Sequence, residues 1–414
     1  MGETRSVKTK QFDRVLLITT MMLVFVGAVM VYSTTSIVAP SRGGTSVVSS
    51  VSTSLIDLRY LKKHVVSVLL GIVLMTVFYK LPLVALKRSA FVLLGLAALL
   101  LIAVKMPFIG LTVNGARRWI HIAHFTFQPS ELVKPALIIF LARYLSSKTF
   151  NPDSFKSFMI PIAMMGVLQG LLLLQPDFGS SVILGIITFS LLFAARVRVK
   201  FILSLGILLI PVVIKLIMKP YRLQRIMVFL DPWADEKNTG FQLIQSFVAF
   251  GNGGLKGLGV GKSTQKLFFL PEAKTDFIFS IVGEEIGFIG ATVVVILFLI
   301  VFIRGVLITG RQKEPYLYYL SAGFTTLIGV QAVLNLSVVT GLMPTKGLPL
   351  PFISYGGTSM IMNLIEVGIL LNIAKGDSEE HIPVVNPQVD IYSGMREKIM
   401  RQRGRIISDV KWKT

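Results

Sequence analysis

The strongest chemical cluster in the sequence is a short polar run at the entry to an apolar stretch. The run reads L-P-E-A-K-T-D-F-I-F at 270–279 and contains Glu272, Lys274 and Asp276. Asp276 directly precedes the first strongly apolar residues, so we expect it near a membrane surface, partly desolvated and surrounded by cations. Such a carboxylate can act as a base toward a hydroxyl group or bind a divalent cation. Helix N-capping by Thr275 or Asp276 is the structural alternative, and the residues alone favour neither interpretation.

Charged residues inside apolar stretches form a second group. Glu131 and Lys134 stand three positions apart, close enough to pair on one helix face. An ionised side chain at the bilayer centre costs roughly 2.5–3.5 kcal/mol on insertion scales, so such residues usually pair or line a cavity. Simple mutual neutralisation of Glu131 and Lys134 remains open. Adjacent helix positions point about 100° apart, so we expect Glu284 and Glu285 not to face one partner, and Glu366 is assigned no role.

A glycine-rich segment, G-N-G-G-L-K-G-L-G-V-G-K-S-T at 251–264, resembles a nucleotide-binding P-loop. That motif requires glycine at the position occupied here by Lys256, and we therefore exclude a nucleotide site. A flexible turn is the favoured alternative. The other is a set of backbone N–H groups presented to a lipid-linked phosphate.

Composition assigns these residues to a membrane protein. The 414 residues are 53% hydrophobic and 15% charged, against roughly 25% charged in soluble domains. The absence of cysteine excludes disulfides, thiol catalysis and thiolate metal sites. The apolar stretches do not alternate as barrel strands do, so helices must satisfy the backbone in lipid. We predict an all-α polytopic membrane protein with about ten spans of about 20 residues, at 15–38, 64–81, 90–109, 130–147, 157–174, 178–195, 201–218, 277–303, 316–340 and 356–374.

The distribution of lysine and arginine predicts the orientation. Four short connections carry three such residues each: 80–88, 143–156, 196–200 and 304–313. The opposite connection at 175–177 carries none, and the one after Gly341 carries only Lys346. This asymmetry predicts cytoplasmic tails at 1–14 and 375–414, around a membrane domain at 15–374. The long basic loop at 219–276 is then extracytoplasmic, where its charge serves either solubility or an anionic ligand.

Six strings of residues are similar to motifs of the SEDS family (shape, elongation, division and sporulation). They are N-G-A-R-R-W-I (114–120), F-Q-P-S-E-L-V-K (127–134), Q-P-D-F-G-S (175–180), L-P-E-A-K-T-D-F-I-F (270–279), G-E-E-I-G-F-I-G (283–290) and P-T-K-G-L-P-L-P-F-I-S-Y-G-G (344–357). The chain resembles the division branch more than the elongation branch at Phe178, at the run 251–255 and at Ala273. Lys274 is a departure, since histidine is common there.

The resemblance implies a glycosyltransferase that polymerises lipid II into β-1,4 peptidoglycan strands at the outer face of a bacterial cytoplasmic membrane, at the division septum. Implied partners are lipid II, a cognate class B penicillin-binding protein and other divisome membrane proteins, with no nucleic acid. A divalent cation, Mg²⁺ or Mn²⁺, is implied, with no nucleotide and no haem. The elongation-type polymerase, a lipid II flippase and a structural scaffold are alternatives. The outward-facing cluster around Asp276 favours polymerisation over transport.

The resemblance also implies roles for individual residues. Asp276 is the general base or a divalent-cation ligand. Asp177 is expected to be structural, fixing a short turn between two spans. The substrate-binding residues are Arg117, Arg118, Lys134 and Lys346 for pyrophosphate, Glu131 to position Lys134, Glu272 and Lys274 to shape the cavity, and Trp119.

Overall fold

The computed structural model describes residues 13–35, 47–106, 108–113, 116–122, 125–236, 240–266, 270 and 272–376. The two predicted cytoplasmic tails lie outside these residues, except at 13–14 and 375–376. Their orientation therefore stays a prediction.

Twelve α-helices make up most of the described chain. Their bounds are α1 Arg14–Thr35, α2 Val47–Lys80, α3 Leu83–Ala103, α4 Pro129–Leu145, α5 Phe155–Leu174, α6 Phe178–Ala194, α7 Val199–Ile217, α8 Pro220–Leu230, α9 Phe241–Gly253, α10 Ile278–Arg311, α11 Pro315–Val339 and α12 Gly357–Gly376. The predicted spans fall on α1–α7 and α10–α12.

The chain is a polytopic helical membrane protein, as predicted. Among the described residues, seven helices are long and apolar enough to cross a membrane: α1, the later part of α2, α3, α5, α10, α11 and α12. α6 and the first part of α7 are shorter apolar helices. α4 has 17 residues and carries Glu131, Lys134 and Arg143, which explains its lower hydropathy.

A small antiparallel sheet, absent from the sequence prediction, lies between α3 and α4. Its strands are β1 Gly110–Val113, β2 Ala116–Ile122 and β3 Phe125–Phe127, paired in the order β1-β2-β3. α3 ends at Ala103, short of the predicted span end at 109. The strands are rich in β-branched and aromatic residues, which favour extended structure.

Two further helices, α8 and α9, lie in the long loop that was predicted only as polar and extracytoplasmic. A 3₁₀ turn, Pro232–Asp235, follows α8. Asp231 begins this turn by accepting a hydrogen bond from the backbone N–H of Trp233 at 3.1 Å.

The helix ends fix which residues share one end of the bundle. The Thr358 hydroxyl at the start of α12 accepts from the Gln128 N–H at 3.2 Å, so α4 and α12 begin at one level. At the other end, Arg143 of α4 donates to the carbonyls of Lys87 and Arg88. Asn372 of α12 donates to carbonyls at the end of α2. α4 and α12 therefore run side by side from one membrane face to the other.

Candidate active site

Asp276 lies two residues before α10, in a turn held by a buried asparagine of α11. The Asn335 side chain donates to the backbone carbonyl of Asp276 at 2.8 Å and to that of Leu348 at 2.7 Å. It therefore joins the turn before α10 to the segment between α11 and α12. A Cβ on Gly347 would lie 3.0 Å from Asp276 Oδ2, so a side chain there would crowd the carboxylate.

Neither side chain proposed as a helix cap performs that role. The N-cap residue of α10 is Phe277, and no side chain caps it. The Thr275 hydroxyl donates to Glu272 Oε2 at 2.7 Å. The partly buried Asp276 carboxylate accepts no hydrogen bond from the residues that the structure describes. The capping alternative therefore fails, which leaves the Asp276 carboxylate available for chemistry.

The surroundings of Asp276 raise the pKa of its carboxyl from 3.8 to about 7. Desolvation by burial is the largest cause, and the charge of Glu272 acts in the same direction. Arg225 and Arg118 lower the pKa and partly offset this rise. A carboxylate with a pKa near neutral is suited to accept a proton at physiological pH.

The segment before α12 supports this turn through backbone contacts. The Ser354 hydroxyl donates to the Thr275 carbonyl at 2.6 Å and accepts from the Leu350 N–H at 2.8 Å. The Tyr355 N–H donates to the Lys274 carbonyl at 2.9 Å. The two bonds of the Ser354 hydroxyl explain the serine near the end of the 344–357 motif.

The Lys274 side chain contacts Tyr60, which packs against Tyr355. Its Nζ lies 3.7 Å from the centre of the Tyr60 ring, and the Tyr60 and Tyr355 rings meet edge to face at 5.5 Å. A cation over an aromatic face is held electrostatically. The Lys274 side chain is therefore held against Tyr60, and its role in shaping the cavity around Asp276 stays a prediction.

Three cations converge on the connection between α5 and α6 and on the segment after α11. Arg118 of β2 donates to the carbonyls of Gln175 and Pro176 at 3.0 and 2.7 Å. The Lys346 ammonium and the Arg222 guanidinium lie 5.5 and 4.7 Å from the centre of the Phe178 ring. Burial lowers the pKa of Lys346, so an anion beside it would favour its charged form.

Arg225 adds a further cation through α8. Its guanidinium donates to the Thr345 carbonyl at 2.7 Å and acts electrostatically on Asp276. The sequence analysis counted Arg222 and Arg225 only among the charges of the long loop and did not select Asn335. No local pattern separates these three residues from their neighbours, since their roles depend on contacts with distant segments.

Arg117 and Trp119 stand apart from this group. Successive strand residues point to opposite faces, and Arg117 donates to the Thr112 hydroxyl at 3.2 Å, within the sheet. Trp119 pairs with Leu111 across β1 and β2. Among the described residues, Arg118 contacts the connection before α6, whereas Arg117 and Trp119 do not. The substrate-binding roles of Arg117 and Trp119 stay predictions.

The Glu131–Lys134 pair forms as predicted, inside the bundle. The Lys134 ammonium lies 2.7 Å from Glu131 Oε1, and both side chains are buried. Glu366 of α12 is buried beside these charges, and its Oε2 has no hydrogen-bond partner among the described residues. No described contact joins Lys134 to Asp276, so its assignment to pyrophosphate stays a prediction.

Glu284 and Glu285 correct one expectation, because both contact Ser263. Glu284 accepts from the Ser263 hydroxyl, and Glu285 accepts from the Ser263 N–H at 3.3 Å. α10 is broken at Gly287, where φ is +74° and ψ is −174°. The glycine-rich segment packs into this break, so one loop reaches both carboxylates despite their angular separation.

The glycine-rich segment is thus a structural element rather than the free turn that was favoured. Its Leu258 and Gly259 N–H groups donate to the carbonyls of Glu284 and Glu285 at 3.0 and 2.9 Å. Lys266 closes the arrangement with a buried ion pair to Glu285 at 3.1 Å. The anions that this segment binds are carboxylates of the protein itself.

Asp177 has the structural role that was expected. It is the N-cap of α6, and its two carboxylate oxygens accept from the Ser180 N–H at 3.1 Å and the Ser180 hydroxyl at 2.8 Å. These bonds fix the turn whose carbonyls Arg118 contacts.

Fold and site together define a polytopic membrane protein that gathers a carboxylate and several cations where α5, α8, α10 and α11 begin or end. The model of the family described as "Cell cycle protein", which covers FtsW, RodA and SpoVE, matches residues 13–379. The chain belongs to this family, the SEDS family.

Several named relatives align over most of the chain. "Probable peptidoglycan glycosyltransferase FtsW" of Geobacter sulfurreducens is 41% identical over 88% of this chain and 95% of that protein. The Coxiella burnetii protein of the same name is 39% identical over 90% of this chain and 98% of its own length. "Stage V sporulation protein E" of Bacillus subtilis is 36% identical over 88% of this chain and 97% of its own.

Solved structures show the same fold. A chain of a peptidoglycan synthase complex that coordinates polymerization and crosslinking matches with a TM-score of 0.70 and 27% identity, over 89% of this chain and 99% of that one. A variant of the Thermus thermophilus rod shape determining protein RodA matches with a TM-score of 0.64 and 26% identity, over 89% of this chain and 99% of that one.

Proposed function

We propose that this chain is a peptidoglycan glycosyltransferase that polymerises lipid II at the outer face of the cytoplasmic membrane during septal wall synthesis. Membership of the family and the names of the FtsW relatives at about 40% identity support the activity and the division role. The observation that carries the proposal is the Asp276 carboxylate. It accepts no hydrogen bond from a described residue, its pKa is raised to about 7, and Arg225 and Arg118 act on it electrostatically.

Asp276 is the general base in this mechanism. It accepts the proton of the 4-hydroxyl of the acceptor's N-acetylglucosamine as that oxygen attacks the anomeric carbon of the donor's N-acetylmuramic acid. The bond from this carbon to the pyrophosphate oxygen breaks, and undecaprenyl pyrophosphate leaves with the electron pair. Attack from the opposite face converts the α-linked donor into a β-1,4 glycan.

The cations near Asp276 stabilise the leaving group. Negative charge develops on the pyrophosphate as the glycosidic bond breaks, and preorganised positive groups are most effective where charge develops. Arg118, Arg225 and Lys346 are the residues best placed for this role, with Arg222 beside Lys346 over Phe178. Gly347 leaves space next to the carboxylate for the acceptor hydroxyl.

A divalent cation fits this site if the substrate supplies most of its ligands. The described residues include no group of three or more histidine or acidic side chains that could hold a metal ion. Mg²⁺ is commonly bound by one or two carboxylates together with substrate phosphates. Asp276 would hold Mg²⁺ or Mn²⁺, which would neutralise charge on the pyrophosphate when bound.

The partner proposed is a class B penicillin-binding protein, whose transpeptidase domain crosslinks the new glycan. The solved relative within a synthase complex that couples polymerization to crosslinking supports such an assembly. We propose other divisome membrane proteins as further partners and a cytoplasmic location for both termini, the latter on the distribution of lysine and arginine.

A lipid II flippase is the second candidate. Glu131, Lys134 and Glu366 are charged side chains buried inside the bundle, and such groups are frequent along transport pathways. The Asp276 group, by which we mean Asp276, Arg118, Arg225 and Lys346, lies at one end of the bundle. A site at a single membrane face favours polymerisation over transport.

The test uses purified protein in phospholipid vesicles with fluorescent lipid II, Mg²⁺ or EDTA, and the class B partner present or absent. We expect glycan polymers on gels, produced only with the divalent cation. Movement of lipid II between leaflets with no polymer under any of these conditions would replace the proposed function with transport.

A further inference from the structure

A cavity of about 630 Å³ lies where α6 connects to α7, beside the first turn of α11. Arg196, Arg198 and Tyr318 give its lining a polar side. Phe193 and Val199 give it an apolar side and are 70% and 54% exposed. None of these residues contributes to the site around Asp276.

The cavity and the Asp276 group lie at opposite ends of α6. This helix begins at Phe178, whose ring contacts Lys346 and Arg222, and ends at Ala194, which lines the cavity. Its 17 residues span about 25 Å at 1.5 Å per residue, close to the hydrocarbon thickness of a bilayer. The cavity therefore opens at the opposite membrane face, which the predicted topology makes cytoplasmic.

The charges at the cavity leave one arginine available for a ligand. Arg198 is paired with Asp153 at 2.5 Å. Arg196 forms no ion pair with a described residue and is exposed. The phenol of Tyr318 is a further donor, and Lys200 follows at the start of α7. An anionic group with an attached hydrocarbon chain would match a cation and exposed apolar side chains at a bilayer boundary.

The backbone of Arg196 strengthens this assignment. The N–H groups of Arg196 and Val197 donate to the carbonyls of Phe193 and Leu192 in a Schellman turn that ends α6. Glycine usually occupies the left-handed position of this turn, but Arg196 does so here with φ +56°. A non-glycine residue in this conformation is strained, and such strain motivates a functional hypothesis for its side chain.

We propose that this cavity binds the phosphate of an anionic glycerophospholipid of the cytoplasmic leaflet, such as phosphatidylglycerol. Arg196 and Tyr318 contact the phosphate, and the acyl chains lie along Phe193 and Val199. The site is independent of the proposed glycosyltransferase activity, because none of its residues belongs to the site around Asp276 and the experiment below measures lipid binding rather than polymerisation.

The decisive variant is Arg196→Gly, because glycine suits φ +56° and removes the charge without straining the turn. Detergent-solubilised protein is exchanged with phosphatidylglycerol or with phosphatidylcholine of the same acyl chains, and bound lipid is counted by native mass spectrometry. The control is Arg311→Gln, which removes an exposed arginine at the end of α10. Tyr318→Phe removes only the hydroxyl donor.

We expect Arg196→Gly to bind phosphatidylglycerol about fivefold more weakly, with phosphatidylcholine binding and thermal stability unchanged. Tyr318→Phe should have a smaller effect and Arg311→Gln none. Glycerol phosphate in excess should not displace the lipid, because it lacks the acyl chains. Equal retention of phosphatidylglycerol by Arg196→Gly and the unmodified protein would overturn the proposal, as would displacement by glycerol phosphate alone.

Discussion

Two acidic regions close together in the chain, at the start of α10, have opposite surroundings. Glu284 and Glu285 accept hydrogen bonds from Ser263, Thr264, Gln265, Asn252 and Ser33, and Lys266 pairs with Glu285. The Asp276 side chain accepts none from the described residues. The donors around a carboxylate therefore distinguish a structural role from a reactive one, even where the sequence shows only nearby acidic residues.

The largest effect on polymerisation should follow replacement of Asp276, the carboxylate that accepts no hydrogen bond from the described residues. Asp276→Asn keeps the size of the side chain but cannot take up the acceptor's proton. A general base contributes typically about 10²–10⁴-fold in rate, or roughly 3–5 kcal/mol of barrier. We expect loss of lipid II polymerisation by this factor in a folded, membrane-inserted protein that still binds lipid II.

The matched control is Asp231→Asn, in the same loop, which removes a carboxylate charge but keeps an amide oxygen able to accept the Trp233 N–H that begins the 3₁₀ turn. Polymerisation by this control should stay near that of the unmodified protein. Near-normal polymerisation by Asp276→Asn would reject the catalytic assignment and make Glu272 the next residue to test.

Substitutions around Glu284 and Glu285, whose carboxylates have many hydrogen-bond donors, should change the stability of the protein rather than its catalytic rate. Lys266→Met leaves the buried Glu285 carboxylate without its cation, and breaking a buried pair typically costs about 3–5 kcal/mol. We expect a large fall in the thermal unfolding temperature. Lys262→Met, at an exposed position of the same loop, is the control and should unfold like the unmodified protein. Equal unfolding of the two variants would show that the ion pair does not hold the loop.

The buried Glu131 and Lys134 of α4 are paired, like Glu285 with Lys266, but are also candidates to bind substrate, like the residues around Asp276. Glu131→Lys and Lys134→Glu should each destabilise the protein by leaving two like charges together, and the double swap retains a possible pair. If Lys134 contacts pyrophosphate, the double swap should be folded but inactive in the polymerisation assay. Full activity of the double swap would give the pair a purely structural role.

The sequence predicted the features that depend on local composition. Long apolar runs located the membrane helices because lipid demands a fixed length of apolar helix. The spacing of Glu131 and Lys134 predicted their pairing. The β1–β3 sheet was missed because its strands are short and lie in a stretch without a clear alternation.

The composition of the site was less predictable, because it depends on contacts between segments far apart in the chain. Asn335 and Arg225 reach the Asp276 group from α11 and α8. The contacts of Glu284 and Glu285 were predicted wrongly, because helical angles alone do not account for a loop that packs into a helix break at Gly287.

The raised pKa of Asp276 predicts a pH dependence. The carboxyl must be ionised to act as a base, so polymerisation should rise with pH through about pH 7. Because the folded-state pKa lies above the ordinary value of 3.8, Asp276 favours the folded state when protonated, and this contribution is lost as pH rises toward about 7. A rate profile with its midpoint near pH 4 would contradict the desolvated environment.

The smallest effect should come from Glu272, whose charge raises the pKa of Asp276. Glu272→Gln removes this charge and should move the midpoint of the rate profile to lower pH. Glu272 is exposed, so solvent and salt screen its charge and the movement should be less than about one pH unit.

Glu236→Gln, another exposed acidic position in the same loop, is the control and should leave the midpoint unchanged. The shift should also shrink as salt is added, because screening weakens the interaction between the two carboxylates. A midpoint that moves to higher pH in Glu272→Gln would mean that Glu272 acts on Asp276 through structure rather than charge, since removing a nearby negative charge can only ease ionisation.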